Sequence, residues 1–137
     1  MKQIALEELV EIARQARERA YAPYSHFKVG AALRTRSGQI FRGGNVENAS
    51  YGLSICAERS AAVAAVAAGE LEFEEIVVIA DTPRATTPCG ACRQFLAEFN
   101  PHLPITMANL ATVHCTRSLT ELLPAAFDSE VLESGQH

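Results

Sequence analysis

The sequence predicts an α/β protein, a three-layer α/β/α sandwich around a mixed five-stranded sheet. Three observations lead there. Helical and strand-like patterns alternate along the chain, which places helices on both faces of one sheet. One strand candidate, Ile76-Val77-Val78-Ile79-Ala80, is a continuous apolar run suited to burial on both sides. No repeat, low-complexity tract or linker interrupts the 137 residues, so residues 1–137 are expected to form a single domain.

Residues 4–20 carry Leu6, Leu9, Val10, Ala13 and Ala16 at helical spacing. Glu7, Glu8 and Glu11 lie early and Arg14, Arg17 and Arg19 late, an order that complements the helix dipole. Ala22-Pro23-Tyr24-Ser25 breaks this helix. Phe27 to Thr35 then reads as a strand, Arg36-Ser37-Gly38-Gln39 as a turn, and Ile40-Phe41-Arg42 as the returning strand of a hairpin. Gly30 inside the first strand signals a bulge or a close backbone approach. Gly43-Gly44 is expected to end the second strand, and Asn45-Val46-Glu47-Asn48 to form a polar loop.

Ser54 is the expected N-cap of a helix from about Ile55 to Ala68, with Gly69 as its stop. After Arg59 this helix has no polar face, so it needs cover from a sheet or from other subunits. The apolar run at 76–80 follows as a strand. A loop opens at Asp81 and leads to Pro88, and a helix from Cys89 or Gly90 runs to about Phe99, where Asn100-Pro101 ends it. Ile105 to Asn109 and Thr112 to Thr116 read as two short strands. Ser118-Leu119-Thr120-Glu121 has the capping-box pattern of a short last helix, followed by a polar, helical tail.

Composition narrows the function. A formal net charge of −4 argues against a protein that binds nucleic acid by bulk attraction. The absence of Trp argues against a stacking platform for single strands. The first twenty residues carry four Glu, which a signal or transit peptide avoids, and no apolar run reaches membrane-spanning length. A cytoplasmic protein with no membrane or nucleic-acid partner is the expectation. In that compartment four cysteines point to metal binding, catalysis or free thiols rather than disulfides.

The chemistry concentrates in two short pieces, Ile55-Cys56-Ala57-Glu58-Arg59 and Pro88-Cys89-Gly90-Ala91-Cys92. Cys89 and Cys92, three apart at a helix start, put both sulfurs on one side. A CxxC pair is a strong zinc signal when a third ligand exists, and Cys56 is the candidate. Two helix N-termini then aim at one ion and favour the thiolates that bind it. Three protein ligands leave a tetrahedral zinc with one open position, and water there acidifies to a pKa of roughly 7 in the best-known cases. Three thiolates supply more negative charge than three imidazoles, so a compensating cation is expected nearby; Arg59 is placed for it. Glu58, at the first helical turn, can reach the open position without binding metal and carry a proton.

An alternative is a structural zinc site completed by His26, His102 or His114, but it gives no reason for a carboxylate beside the first ligand. Cys115 reads as a small core residue, His26 and His114 as structural or surface residues, and His137 as tail.

Cys-Ala-Glu followed by Pro-Cys-x-x-Cys resembles the zinc-dependent nucleoside and base deaminases. Four longer stretches are similar to the small, homotetrameric cytidine deaminases. These are Ala22 to Leu33, Gly44 to Gly52, Pro88 to Gln94, and Leu122-Leu123-Pro124-Ala125-Ala126-Phe127. The resemblance spans about residues 6–132. It implies a cytidine deaminase-like fold, one Zn²⁺ per subunit on Cys56, Cys89 and Cys92, and a nucleoside substrate. It implies hydrolysis of cytidine and deoxycytidine to uridine and deoxyuridine plus ammonia, in pyrimidine salvage. Zinc-bound hydroxide would attack C4, with Glu58 as proton shuttle. Phe27 would pack on the pyrimidine, and Asn45 and Glu47 would hold the ribose 3′-hydroxyl. The Ala57 N–H and Glu58 would contact the base, and the Cys89 carbonyl would accept from the amino group. Tyr51 and Phe127 would enter a neighbouring subunit's pocket. By their residue types alone, Asn45 and Glu47 also suit ordinary turn positions. Asn109-Leu110-Ala111-Thr112 departs from the resemblance, because it lacks the Gly often found at that hairpin.

Overall fold

The structure, a computed structural model, describes residues 5–134. The expected first residue of the first helix and the tail reading of His137 lie outside these residues.

Five strands form one mixed sheet: β1 (Val29–Thr35), β2 (Ile40–Gly44), β3 (Phe73–Ala80), β4 (Pro104–Asn109) and β5 (Val113–Ser118). Their order is β2-β1-β3-β4-β5, with β3 and β4 parallel and the other neighbours antiparallel. Helix α1 (Leu6–Glu18) packs on one face, where Leu9, Val10 and Ala13 meet Ala32, Val77, Ile79 and Ala108. On the other face lie α2 (Ala57–Ala67), α3 (Gly90–Ala97) and α4 (Leu119–Leu122). Ala61, Ala65, Leu96 and Leu119 there meet Ala31, Leu33, Ile76, Val78 and Met107. Alternate residues of β1 and β3 thus serve opposite layers, as a strand's two-residue period requires. A short helix α5 (Ser129–Ser134) follows.

Glycines set how closely the layers approach. A Cβ on Gly30 would lie 2.1 Å from the Ala13 carbonyl oxygen, and one on Gly43 would lie 2.3 Å from that of Ala57. Gly30 therefore marks a close approach to α1, one of its two expected readings. Gly43 does the same for α2. Gly43 and Gly44 end the second strand as expected, as its last two paired residues, opposite Ala31 and Gly30.

Other boundaries move for physical reasons. The first strand begins at Val29, not Phe27, because the preceding residues form a side-chain-bonded loop. β3 begins at Phe73, whose ring is buried and stacks on Phe99 with centroids 4.7 Å apart. The last strand runs to Ser118 rather than Thr116, pairing Ser118 with Pro104. Helix α2 begins at Ala57, and its N-cap is Cys56. Ser54 instead accepts a hydrogen bond from the Asn48 N–H at 3.2 Å. Gly69 ends the helix as expected, at φ 84. The capping box on Ser118 and Glu121 is formed.

Helix α2 is covered on one side only. Ala57, Ala61, Ala62 and Ala65 are buried, while Val63, Ala64, Val66 and Ala67 face outward. The hairpin at 109–112 turns without glycine. Asn109 Oδ1 accepts from the Ala111 and Thr112 N–H groups, both at 2.9 Å, and so the side chain closes the turn.

Candidate active site

Two helix starts meet at the edge of the sheet. Cys56 is the N-cap of α2, Cys89 is the N-cap of α3, and Cys92 sits in the first turn of α3. Both caps place a sulfur at a helix N-terminus, where the dipole favours negative charge, and neither cap side chain accepts a hydrogen bond from its own helix. The three ligand atoms all lie within 4.8 Å of one another. Cys56 Sγ is 3.8 Å from Cys89 Sγ, and Cys89 Sγ is 3.4 Å from Cys92 Sγ. Tetrahedral zinc with Zn–S bonds of about 2.3 Å sets its sulfurs about 3.8 Å apart. The donor set and its spacing fit that ion.

Among the described residues this group contains no histidine, and His26 and His102 are not in it. The His114 side chain lies outside the described residues. Cys115 is half-buried and packs against the core, as expected of a small apolar residue.

Electrostatics divides the thiols. The Cys56 thiol is pushed down to about 5, first by the hydrogen bond with Cys92 and further by Arg59 and Cys89, against the effect of burial. Its hydrogen bond to Cys56 and its burial push Cys92 up. Arg59 Nη2 donates to Cys56 Sγ at 3.5 Å, which puts the expected cation in contact with a sulfur. Glu58 is 5% exposed, and burial, helped by the Cys56 charge, raises its carboxyl to about 7. A carboxyl near neutral can both take and give a proton at physiological pH.

Glu58 lines a cavity of about 280 Å³ together with Phe27, Asn45, Glu47, Cys56, Ala57 and Cys89. That volume is at the small end of ligand pockets, which begin at roughly 300 Å³. Larger depressions, of about 300, 370, 410 and 430 Å³, include no cysteine. Ala57 is the first residue of α2, so its N–H has no partner within the helix. The Cys89 carbonyl accepts from the Arg93 N–H at 3.0 Å and keeps a second lone pair.

Tyr51 and Phe127 do not line this chain's cavity. They are 75% and 57% exposed. The Phe127 carbonyl is held by Gln94 Nε2 at 2.7 Å, and Arg93 Nη1 donates to the Leu122 carbonyl at 2.7 Å. Val29, Ser54, Ile55, Val78, Thr86 and Thr87 also line the cavity. None of these carries a pattern that singles it out in sequence; the strand and loop positions acquire their place only when the two helix starts converge.

Comparison with known proteins agrees with this geometry. Residues 3–107 match the family described as the cytidine and deoxycytidylate deaminase zinc-binding region. A cytidine deaminase of Halalkalibacterium halodurans is 49% identical over 123 residues, covering 89% of this chain and 93% of that protein. One of Sporosarcina psychrophila is 44% identical, covering 93% of this chain and 94% of that protein. The crystal structure of cytidine deaminase from Burkholderia pseudomallei superposes with a TM-score of 0.87 at 49% identity, covering 90% of this chain and 100% of that one. Identity of 44–49% over about nine-tenths of its length, joined to the three-sulfur group and the buried carboxyl beside it, makes this chain a member of the cytidine deaminase family.

Proposed function

We propose that this chain hydrolyses cytidine and deoxycytidine to uridine and deoxyuridine, releasing ammonia. The observation that carries the reading is one cavity in which a buried carboxyl, Glu58, adjoins the sulfur group and faces Phe27, Asn45 and Glu47. Cys56, Cys89 and Cys92 would hold the zinc, which when bound would acidify a water as the nucleophile for C4. Glu58 takes the proton that water loses and delivers it to N3. It would then take the remaining proton from the new C4 hydroxyl, which becomes the C4 carbonyl, and pass it to the amino group as the C4–N bond breaks and ammonia leaves. Arg59 offsets the negative charge of the sulfurs. Phe27 packs on the pyrimidine, and the Ala57 N–H and Cys89 carbonyl orient it. Asn45 and Glu47 bind the ribose 3′-hydroxyl.

The working unit in this reading is a cytoplasmic homotetramer of single-domain chains, with Tyr51 and Phe127 completing a neighbour's pocket. The open apolar face of α2 and the exposed Tyr51, Leu53 and Phe127 support it. Among the described residues no helix is long and apolar enough to cross a membrane.

The test is ammonia release from cytidine by zinc-loaded protein. Turnover should vanish when zinc is stripped and return when zinc is restored. Zinc binding with no ammonia release would leave a zinc-stabilised binding module instead.

A further inference from the structure

The cavity wall opposite the sulfurs is a loop, and its side chains are already engaged. Glu47 Oε1 accepts from the Tyr24 and Ser25 N–H groups at 2.9 and 3.1 Å. Its other oxygen accepts from the Ser25 hydroxyl. The Ser25 oxygen in turn accepts from the Phe27 N–H at 3.0 Å. On the far side, Asn45 Nδ2 donates to the Phe27 carbonyl at 2.8 Å, and Asn45 Oδ1 accepts from the Val29 N–H at 2.9 Å. Both backbone polar groups of Phe27 are therefore held by side chains, one from Ser25 and one from Asn45. Between Ser25 and Phe27, His26 adopts φ 58. An L residue stays in that left-handed region only where its surroundings hold it there.

The acceptor count has a consequence. A carboxylate offers about four lone-pair sites. Tyr24, and Ser25 through its N–H and its hydroxyl, fill three on Glu47, which leaves one for an external hydroxyl. The direction of that last lone pair depends on where Ser25 holds the second oxygen.

We propose that Ser25 is a positioning residue that couples the sugar site to the base site. Its hydroxyl ties the Glu47 carboxylate, offered to the ribose, to the backbone of Phe27, whose side chain lines the base side of the cavity. Ser25 acts through both residues and need not touch substrate. The inference rests on the cytidine reading above.

The test compares zinc-loaded wild type, Ser25→Ala and Ser25→Thr with cytidine as substrate. Ser25 is exposed, so its truncation leaves the core intact. Ser25→Ala should raise KM by about 10- to 100-fold, the size expected for one hydrogen bond to a charged group, with kcat within about threefold. Ser25→Thr keeps the hydroxyl and should restore KM. In a Glu47→Ala background the same Ser25→Ala change should raise KM by clearly less than in wild type, because only the link to Phe27 remains to be lost. An unchanged KM in Ser25→Ala, a fall in kcat alone, a Thr variant as impaired as Ala, or fully multiplicative effects in the double variant would each overturn the positioning role. Inactive wild type would instead overturn the cytidine reading, and this inference with it.

Discussion

The two walls of the cavity are built by different means. The metal wall is made of regular structure: Cys56, Glu58 and Cys92 are fixed by the first turns of α2 and α3, with Cys92 and Glu58 buried. The loop wall has little regular structure. Ser25 and Phe27 are exposed and Glu47 is half-buried, and side-chain-to-backbone hydrogen bonds replace a helix or sheet ladder. Burial on the first wall changes chemistry, since it lifts the Glu58 carboxyl towards neutrality. Hydrogen bonding on the second keeps Glu47 ionised, its carboxyl held below the usual range first by the Ser25 hydroxyl. A proton carrier needs the former environment, and a fixed acceptor for a hydroxyl needs the latter.

Four substitutions probe this contrast. Glu58→Gln should have the largest effect: a loss of about 10²- to 10⁴-fold in kcat, the range for a positioned acid–base group, with zinc still bound. Metal analysis beside steady-state kinetics checks it, and appreciable kcat would remove the proton-carrier role. Glu47→Ala should act on binding, raising KM for cytidine by about 10- to 100-fold while zinc stays in place. If its KM matched wild type, the ribose assignment would be wrong.

Gly43→Ala strikes the scaffold of the metal wall. Its new Cβ would lie 2.3 Å from the Ala57 carbonyl oxygen and 2.5 Å from the Ala61 nitrogen, both backbone atoms of α2. Overpacking of this kind costs about 1–3 kcal/mol, readable as a shift in denaturant midpoint, and it should reduce activity because α2 carries Cys56 at its cap. Unaltered stability would mean that α2 moves away freely.

The smallest effect belongs to Glu70→Gln, a control away from both walls. Glu70 accepts from the Ser37 hydroxyl, and from Thr35 Oγ1 at 2.7 Å, and these bonds lower its pKa. A lowered folded-state value stabilises above the unfolded-state pKa, and that contribution is lost as pH falls through the folded-state value. Wild type should therefore melt slightly above Glu70→Gln at neutral pH, and the gap should close in acid. A gap that is constant with pH would contradict this.

The same contrast governs what could be read in the amino-acid sequence. The metal wall was legible because Cys89 and Cys92 are three apart at a helix start and Glu58 is two residues from Cys56, so local geometry fixes their relation. The layered architecture, a mixed sheet between helices, was legible from apolar runs alternating with amphipathic stretches, whereas the strand order was not. Nor was the loop wall. Phe27 reads as the start of a strand because it precedes a β-rich run, yet the bonds that keep it out of β1 come from Ser25 and, eighteen residues on, Asn45. Contacts that distant leave no periodic trace; the roles of Asn45 and Glu47 came through family resemblance alone. The second role of Gly43, its close approach to α2, was hidden for a similar reason. A strand-ending glycine and a glycine pressed against a helix look alike until the helix is in place.

Asn109 does two jobs with one amide. Its oxygen closes the hairpin, and its nitrogen donates to the Thr82 carbonyl at 2.8 Å, at the head of the segment that delivers Cys89. Glycine would satisfy the bend and lose the tether. Asn109→Asp would keep the acceptor that closes the bend and cut the same tether, so the chain would stay folded while the approach to the start of α3 slackened.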